Sequence, residues 1–184
     1  MSTVIDNAKA AFTDINLMHL QDIVETICNH ALARAYPPFP SRKKLELEEL
    51  LHDSTFVERF RVGLMQGAAY LLAASDERVL AVYRVEGNPG VQTRVKTNTA
   101  EAAKTHLLIL VSNRSAALNA LAIALDQALI REVGKLSPKL QHEQKSLLNP
   151  IFITEADVVQ NKGYAMLLSA ALAPPLTIWQ RDDT

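Results

Sequence analysis

An α/β (or α+β) fold with a mixed β-sheet covered by helices is what this 184-residue sequence predicts, and three observations predict it. His106-Leu107-Leu108-Ile109-Leu110-Val111 is an unbroken apolar run, closed by the polar turn Ser112-Asn113-Arg114-Ser115 and followed by helical periodicity to Leu136. A strand buried on both faces, followed by a crossover helix, has that pattern. Val79 to Val85 and Val91 to Thr97 alternate on either side of Glu86-Gly87-Asn88-Pro89-Gly90, as the arms of a β-hairpin with one polar face do. Helical spacing dominates everything before Val79, so three helices precede the sheet.

Taken in order, Ile15, Met18, Val24, Ile27, Ala31 and Ala35 form an apolar stripe on a helix from about Thr13 to Ala35. Pro37, Pro38 and Pro40 forbid its continuation and favour an extended Tyr36 to Pro40 link. Ser41 can cap a second helix to about His52, with Leu47, Leu50 and Leu51 inward. Asp53 or Ser54 can cap a third, Thr55 to Ala74, which is apolar on nearly every side after Val62. Gly63 and Gly67, four residues apart on that helix, let a neighbour approach closely at a propensity cost of ~1 kcal/mol each.

The hairpin, the 106–111 strand and its helix come next. Ser137-Pro138 ends that helix, and Lys139 to Leu148 reads as one more short helix. Ile151 to Ile153 is a strand, and Thr154 with Asp157 has capping-box spacing for the helix that follows, which breaks near Gly163 and resumes through Ala173. After Pro174-Pro175, Leu176 to Trp179 is the last strand. The sheet should have about five strands in one domain, residues 1–184, helical over 13–75 and α/β over 78–182.

Composition narrows the function classes. Charged residues are 21%, hydrophobic residues 48% and the net charge is -1. That is an ordinary globular balance without the excess of positive charge that draws a protein to nucleic acid or an anionic membrane. The longest apolar run, Val62 to Ala74, is interrupted by Gln66 and falls short of the ~20 residues a spanning helix needs. Cys28 stands alone and the N-terminus lacks a signal-like apolar core, so a cytoplasmic setting without membrane contact is expected.

The candidate ligand-binding residues are Ser112, Asn113, Arg114 and Ser115. In open α/β sheets, ligands bind beyond the carboxyl ends of strands, where helix N-termini present free amides to anions. The guanidinium of Arg114 can hold a phosphate or carboxylate there. The competing reading is that Asn113 or Ser115 caps the helix and Arg114 is solvated. Thr154, Glu155 and Asp157 follow another strand and can line the same edge, although a structural cap explains them at lower cost.

Covalent catalysis finds no support: His106 lies at the far end of the strand from Ser112, about 20 Å away at ~3.3 Å per residue. Cys28 sits beside the apolar stripe of the first helix and reads as a small core hydrophobe. Trp179 reads as a packing anchor. No catalytic, metal or cofactor residues are assigned.

Two stretches of the chain carry resemblances to known families. His52-Asp53 at the end of a leucine-rich helix resembles the histidine-aspartate phosphohydrolases, whose metal site implies a further histidine and aspartate. His30 and Asp126 are available, but Asp126 lies mid-helix and the flanking sequence departs from that family. The order helix, three strands, helix, strand resembles the restriction-endonuclease-like core. Such chemistry implies acidic metal ligands and a lysine on the middle strands, whereas the hairpin offers Arg94 and Lys96 and the core strand no acid, which implies an inactive copy. A winged-helix arrangement of 45–52, 55 onward and the hairpin would carry Arg42, Lys43, Lys44, Arg59, Arg61, Arg84, Arg94 and Lys96 as its basic face.

The expectation that follows is a non-catalytic adaptor or regulatory protein acting through protein contacts, with a partner or homodimerisation. The alternative is an enzyme or sensor binding a small anionic ligand at 112–115. The second alternative is a nucleic-acid-binding protein with a winged-helix-like or inactive restriction-endonuclease-like core.

Overall fold

The computed structural model describes residues 17–36, 47–86, 105–136, 146–169 and 175–181. Helix α1 (Leu17–Ala35) buries Leu20, Val24, Ile27, Cys28, Ala31 and Ala35, the three-and-four spacing that gathers apolar side chains on one face. Ile15, the first residue of the expected stripe, lies outside the described residues. A single turn, α2 (Leu47–Leu50), leads to α3 (Ser54–Ser75). Asp53 is its N-cap: the carboxylate accepts from the Thr55 amide at 2.8 Å, satisfying one of the helix's orphan donors. From Gly63 onward most of α3 is buried, with Leu64, Met65, Ala68, Ala69, Leu71, Leu72 and Ala73 enclosed while Tyr70 and Ala74 stay exposed.

The glycines of α3 explain how α1 lies so close to it. A Cβ on Gly63 would stand 2.9 Å from both Cα and Cβ of Ala31, and one on Gly67 would stand 2.6 Å from Cγ2 of Ile27. The two helices meet across these bare positions, so the glycines are packing residues.

Four strands form one mixed sheet among the described residues: β1 (Val79–Glu86), β2 (Thr105–Val111), β3 (Pro150–Thr154) and β4 (Leu176–Gln180), in the order β3-β2-β1-β4. β1 runs antiparallel to both its neighbours, β2 and β4, while β2 and β3 are parallel and joined through α4 (Ala116–Leu136). The expected count of about five is therefore corrected to four here, and the predicted strand Val91 to Thr97 lies outside the described residues. Across Ala81 to Arg84 the two sides of β1 are taken by β2 and β4. Turn chemistry at 86–90 forecasts a reversal of the chain, not which later strand pairs with β1. The expected helix over Lys139 to Leu148 falls outside the described residues up to 145, and residues 146–149 form a turn.

β2 and β1 are the two interior strands of this order, and β2 is the one enclosed along nearly its whole length. Leu107, Ile109 and Val111 face the large core built by α1, α3 and α4, whereas Leu108 joins Val85, Ile153 and Ala165 in a second core on the opposite face. That second core is covered by α5 (Glu155–Val159) and a 3-10 helix (Gly163–Ser169), whose Val158, Tyr164, Leu167 and Leu168 pack on it. The face assignment within β1 differs from the alternation expected for Val79, Ala81, Tyr83 and Val85. Val79 and Val82 join the helical side and Tyr83 and Val85 the other. A register shift against β2 between Val79 and Ala81 re-phases the strand, and one extra residue is enough to exchange faces.

Asp126 holds the entry to β3. It is buried in α4 and accepts from Ser146 Oγ at 2.6 Å and from the amides of Leu147 and Leu148 at 2.9 and 2.8 Å. Leu148 in turn accepts from the Leu107 amide at 2.8 Å, and Asn149 Nδ2 donates to the Thr105 carbonyl at 3.0 Å. A buried carboxylate thus satisfies a turn that would otherwise hide unpaired donors, and it stitches the starts of β2 and β3 together. Among the described residues no helix is long and apolar enough to cross a membrane.

Replacing Gly63 with alanine gains ~1 kcal/mol of helix propensity but drives a methyl into the Ala31 backbone, and overpacking of this kind costs about 1–3 kcal/mol. Gly67→Ala meets Cγ2, Cγ1 and Cβ of Ile27, a β-branched side chain that a helix holds to one rotamer, so it has no easy exit either. Urea unfolding should therefore find both variants less stable than the wild type; a stability gain in either would contradict a close contact between α1 and α3 at these positions.

Candidate functional site

Because β2, β3 and β4 run parallel to one another, their carboxyl ends share one edge of the domain, together with the start of β1. The turn at Ser112 to Ser115 is on this edge. The Ser112 amide donates to the Arg78 carbonyl at 2.9 Å, so the turn leaves β2 tied to the start of β1. Ser112, Asn113 and Arg114 are exposed. Ser115 is half-buried, and its hydroxyl accepts from the Leu118 amide at 3.3 Å as the cap of α4.

The structure brings Arg114 together with Asp157, which the sequence had placed on the same edge only as a possibility. Arg114 Nη2 lies 3.4 Å from Asp157 Oδ2, with the arginine side chain 71% exposed. Asp157 is itself the second half of a capping box. Its Oδ2 accepts from the Thr154 amide at 2.9 Å and the Thr154 hydroxyl at 2.8 Å, while its own amide donates back to Thr154 Oγ1 at 3.2 Å. These donors, Thr154 first and Arg114 after it, hold the carboxyl below the ordinary aspartate range.

Three more charged residues complete the edge, and sequence reasoning passed over all of them. Asp76 accepts from Arg78 Nε at 2.8 Å and Nη2 at 2.7 Å, a two-pronged pair that lowers the carboxyl's pKa, with Arg181 adding to the effect. Arg181, just beyond β4, donates through Nε and Nη2 to the Val79 carbonyl at 3.2 and 3.1 Å and lies 5.7 Å from the Trp179 ring. The Asp76–Arg78 pair is local, two residues apart, whereas Arg181 joins it only through the pairing of β4 with β1, which sets Arg181 beside Leu80.

The remaining candidates have structural roles. Asp53 caps α3 and Asp126 binds the 146–148 turn. Cys28 is buried, and burial, with Glu132 adding to it, pushes its thiol up to about 12, so it is not a thiolate at neutral pH. No group of three or more histidine, cysteine, aspartate or glutamate side chains among the described residues is arranged to hold a metal ion. Of the basic residues considered for nucleic acid, Arg84 is paired with Glu58, and Arg42, Lys43, Lys44, Arg94 and Lys96 lie outside the described residues.

Chemically, the edge offers hydrogen-bonding and charge, arranged as internal pairs: Arg114 with Asp157, Arg78 with Asp76, Arg181 with a main-chain carbonyl. Comparison with protein-family models, curated proteins and solved structures returns no match.

The lowered pKa of Asp157 fixes the sign of a pH dependence. A carboxylate with a depressed folded-state pKa contributes stability that is complete above its ordinary value, ~3.9, and is lost as pH falls through the folded value. Asp157→Asn, a mimic of the protonated acid, should therefore be less stable than the wild type at pH 7, and the difference in Tm should shrink progressively as pH falls below the ordinary aspartate value, ~3.9. A difference that stays constant across that range would contradict the assignment of the carboxylate as the active partner.

Proposed function

We propose that this chain is a small non-catalytic adaptor or regulatory protein that works through protein contacts. The observation that carries this reading is the state of the polar edge: its arginines and carboxylates satisfy one another, and Ser115 is used as a helix cap. Groups so engaged are spent on structure before any ligand arrives. Apolar side chains, by contrast, are left in solvent. Val159 is 86% exposed and Leu176 57%, with Tyr70 and Ile123 exposed as well. Single exposed apolar residues are common, but a partner surface draws on such positions.

The second reading, an enzyme or sensor for a small phosphate or carboxylate ligand at Ser112 to Ser115, is favoured by one feature. Arg114 is mostly exposed and its contact with Asp157 is long for a charge-assisted bond, so an anion could compete for it.

One experiment separates the two. Affinity purification with the wild type, Val159→Asp and Leu176→Asp, quantified by mass spectrometry, should show a specific protein retained by the wild type and lost from a charged variant. In parallel, phosphorylated metabolites and carboxylates should leave the Tm unmoved. A saturable rise in Tm with one of them, abolished by Arg114→Ala, would replace the adaptor reading with the ligand reading.

A further inference from the structure

We propose that residues 155–169 are a self-contained cap that comes away from the sheet and unfolds as one cooperative unit while the rest of the domain stays folded. The hydrogen bonding of the segment supports this. The Gln160 amide donates to Ala156, Asn161 to Val158, Lys162 to Asp157 and Ala165 to Lys162, and the Ser169 hydroxyl bonds to Asn161 and to the Met166 carbonyl. Each of these bonds begins and ends within the segment. To other described residues, its polar ties include the capping box with adjoining Thr154 and the ion pair from Arg114.

Left-handed backbone at Asn161 and Gly163, with φ of 51° and 53°, folds the chain back on itself between α5 and the 3-10 helix. The segment is therefore compact by its own bonds, which are lost together when it opens, while the strand pairing of the sheet is untouched. What holds it down beyond these is limited: apolar packing and the edge-to-face contact of Tyr164 with the His106 ring of β2, centroids 5.3 Å apart. α5 has no buried residue and the 3-10 helix has one, Ala165. Val158, Tyr164, Leu167 and Leu168 are only partly buried, whereas the opposite face of the sheet is covered by three helices with continuous buried stripes. Segments with few buried contacts and local hydrogen bonds open at lower free energy than the core.

Opening uncovers Leu108, Ile153 and Val85, an apolar sheet face that is closed in the resting state. Arg114 then acquires a function other than ligand binding: it is the polar latch that reaches from the β2 turn to the cap. This device stands independently of the adaptor reading.

Native-state hydrogen exchange of the full chain, across urea concentrations below the unfolding transition, tests it. The amides of Gln160, Lys162 and Ala165 should share one protection factor, lower than that of Ile109 and nearly independent of urea, because a small opening exposes little surface. Arg114→Ala should speed their exchange by roughly two- to fivefold, as loss of an exposed ion pair allows. The proposal is overturned if these amides follow the protection and urea slope of Ile109, if they open with unrelated protection factors, or if Arg114→Ala leaves them unchanged.

Discussion

Burial of β2 on both of its faces is the constraint to which the other elements answer. Leu107, Leu108 and Ile109 are fully enclosed although they point alternately to opposite sides of the sheet. A strand of that kind cannot spare a side for water, so each face needs its own cover, and burial of each such side chain stabilises by about 1.5–3 kcal/mol. The two covers are unequal. Three long-range helical partners, with α1 and α3 drawn together at glycines, enclose one face; a short segment of α5 and 3-10 helix closes the other.

The same constraint sorts the polar groups. A strand with no wet side concentrates its hydrogen-bonding residues at its ends, and both ends of β2 are knotted by side chains. At the beginning, Asp126 and Asn149 serve the turn into β3. At the end, Arg78, Arg114 and Arg181 each find an acceptor. The chain invests its charged groups in fastening strand ends, which is why the edge most suited by topology to bind a ligand offers few unengaged groups there.

Much of this was legible in the residues because it is encoded locally. The apolar run to Val111, the mostly buried second half of α3, the capping pair Thr154 and Asp157 and the break near Gly163 depend on neighbours within a few positions. What was not legible depends on distant partners. Nothing near Leu176 says that it pairs with Arg84, and nothing near Val79 announces the register shift that moves Tyr83 to the opposite face. Arg181 went unnoticed for the same reason, since it reaches the Val79 carbonyl only once β4 lies beside β1, whereas Asp76 and Arg78, two residues apart, form a local pair that the sequence does carry. Asp126 was visible as an acid in mid-helix, but its role required a turn that begins at Ser146.

The most direct test of two-sided enclosure is a pair of truncations on adjacent residues that face opposite ways, Leu107→Ala and Leu108→Ala, each followed by urea unfolding at equilibrium. Both should lose stability in the range of buried leucine deletions, about 2–5 kcal/mol. A loss below about 1 kcal/mol at Leu108 with a full loss at Leu107 would mean that the second face is effectively open to solvent, and would contradict the account.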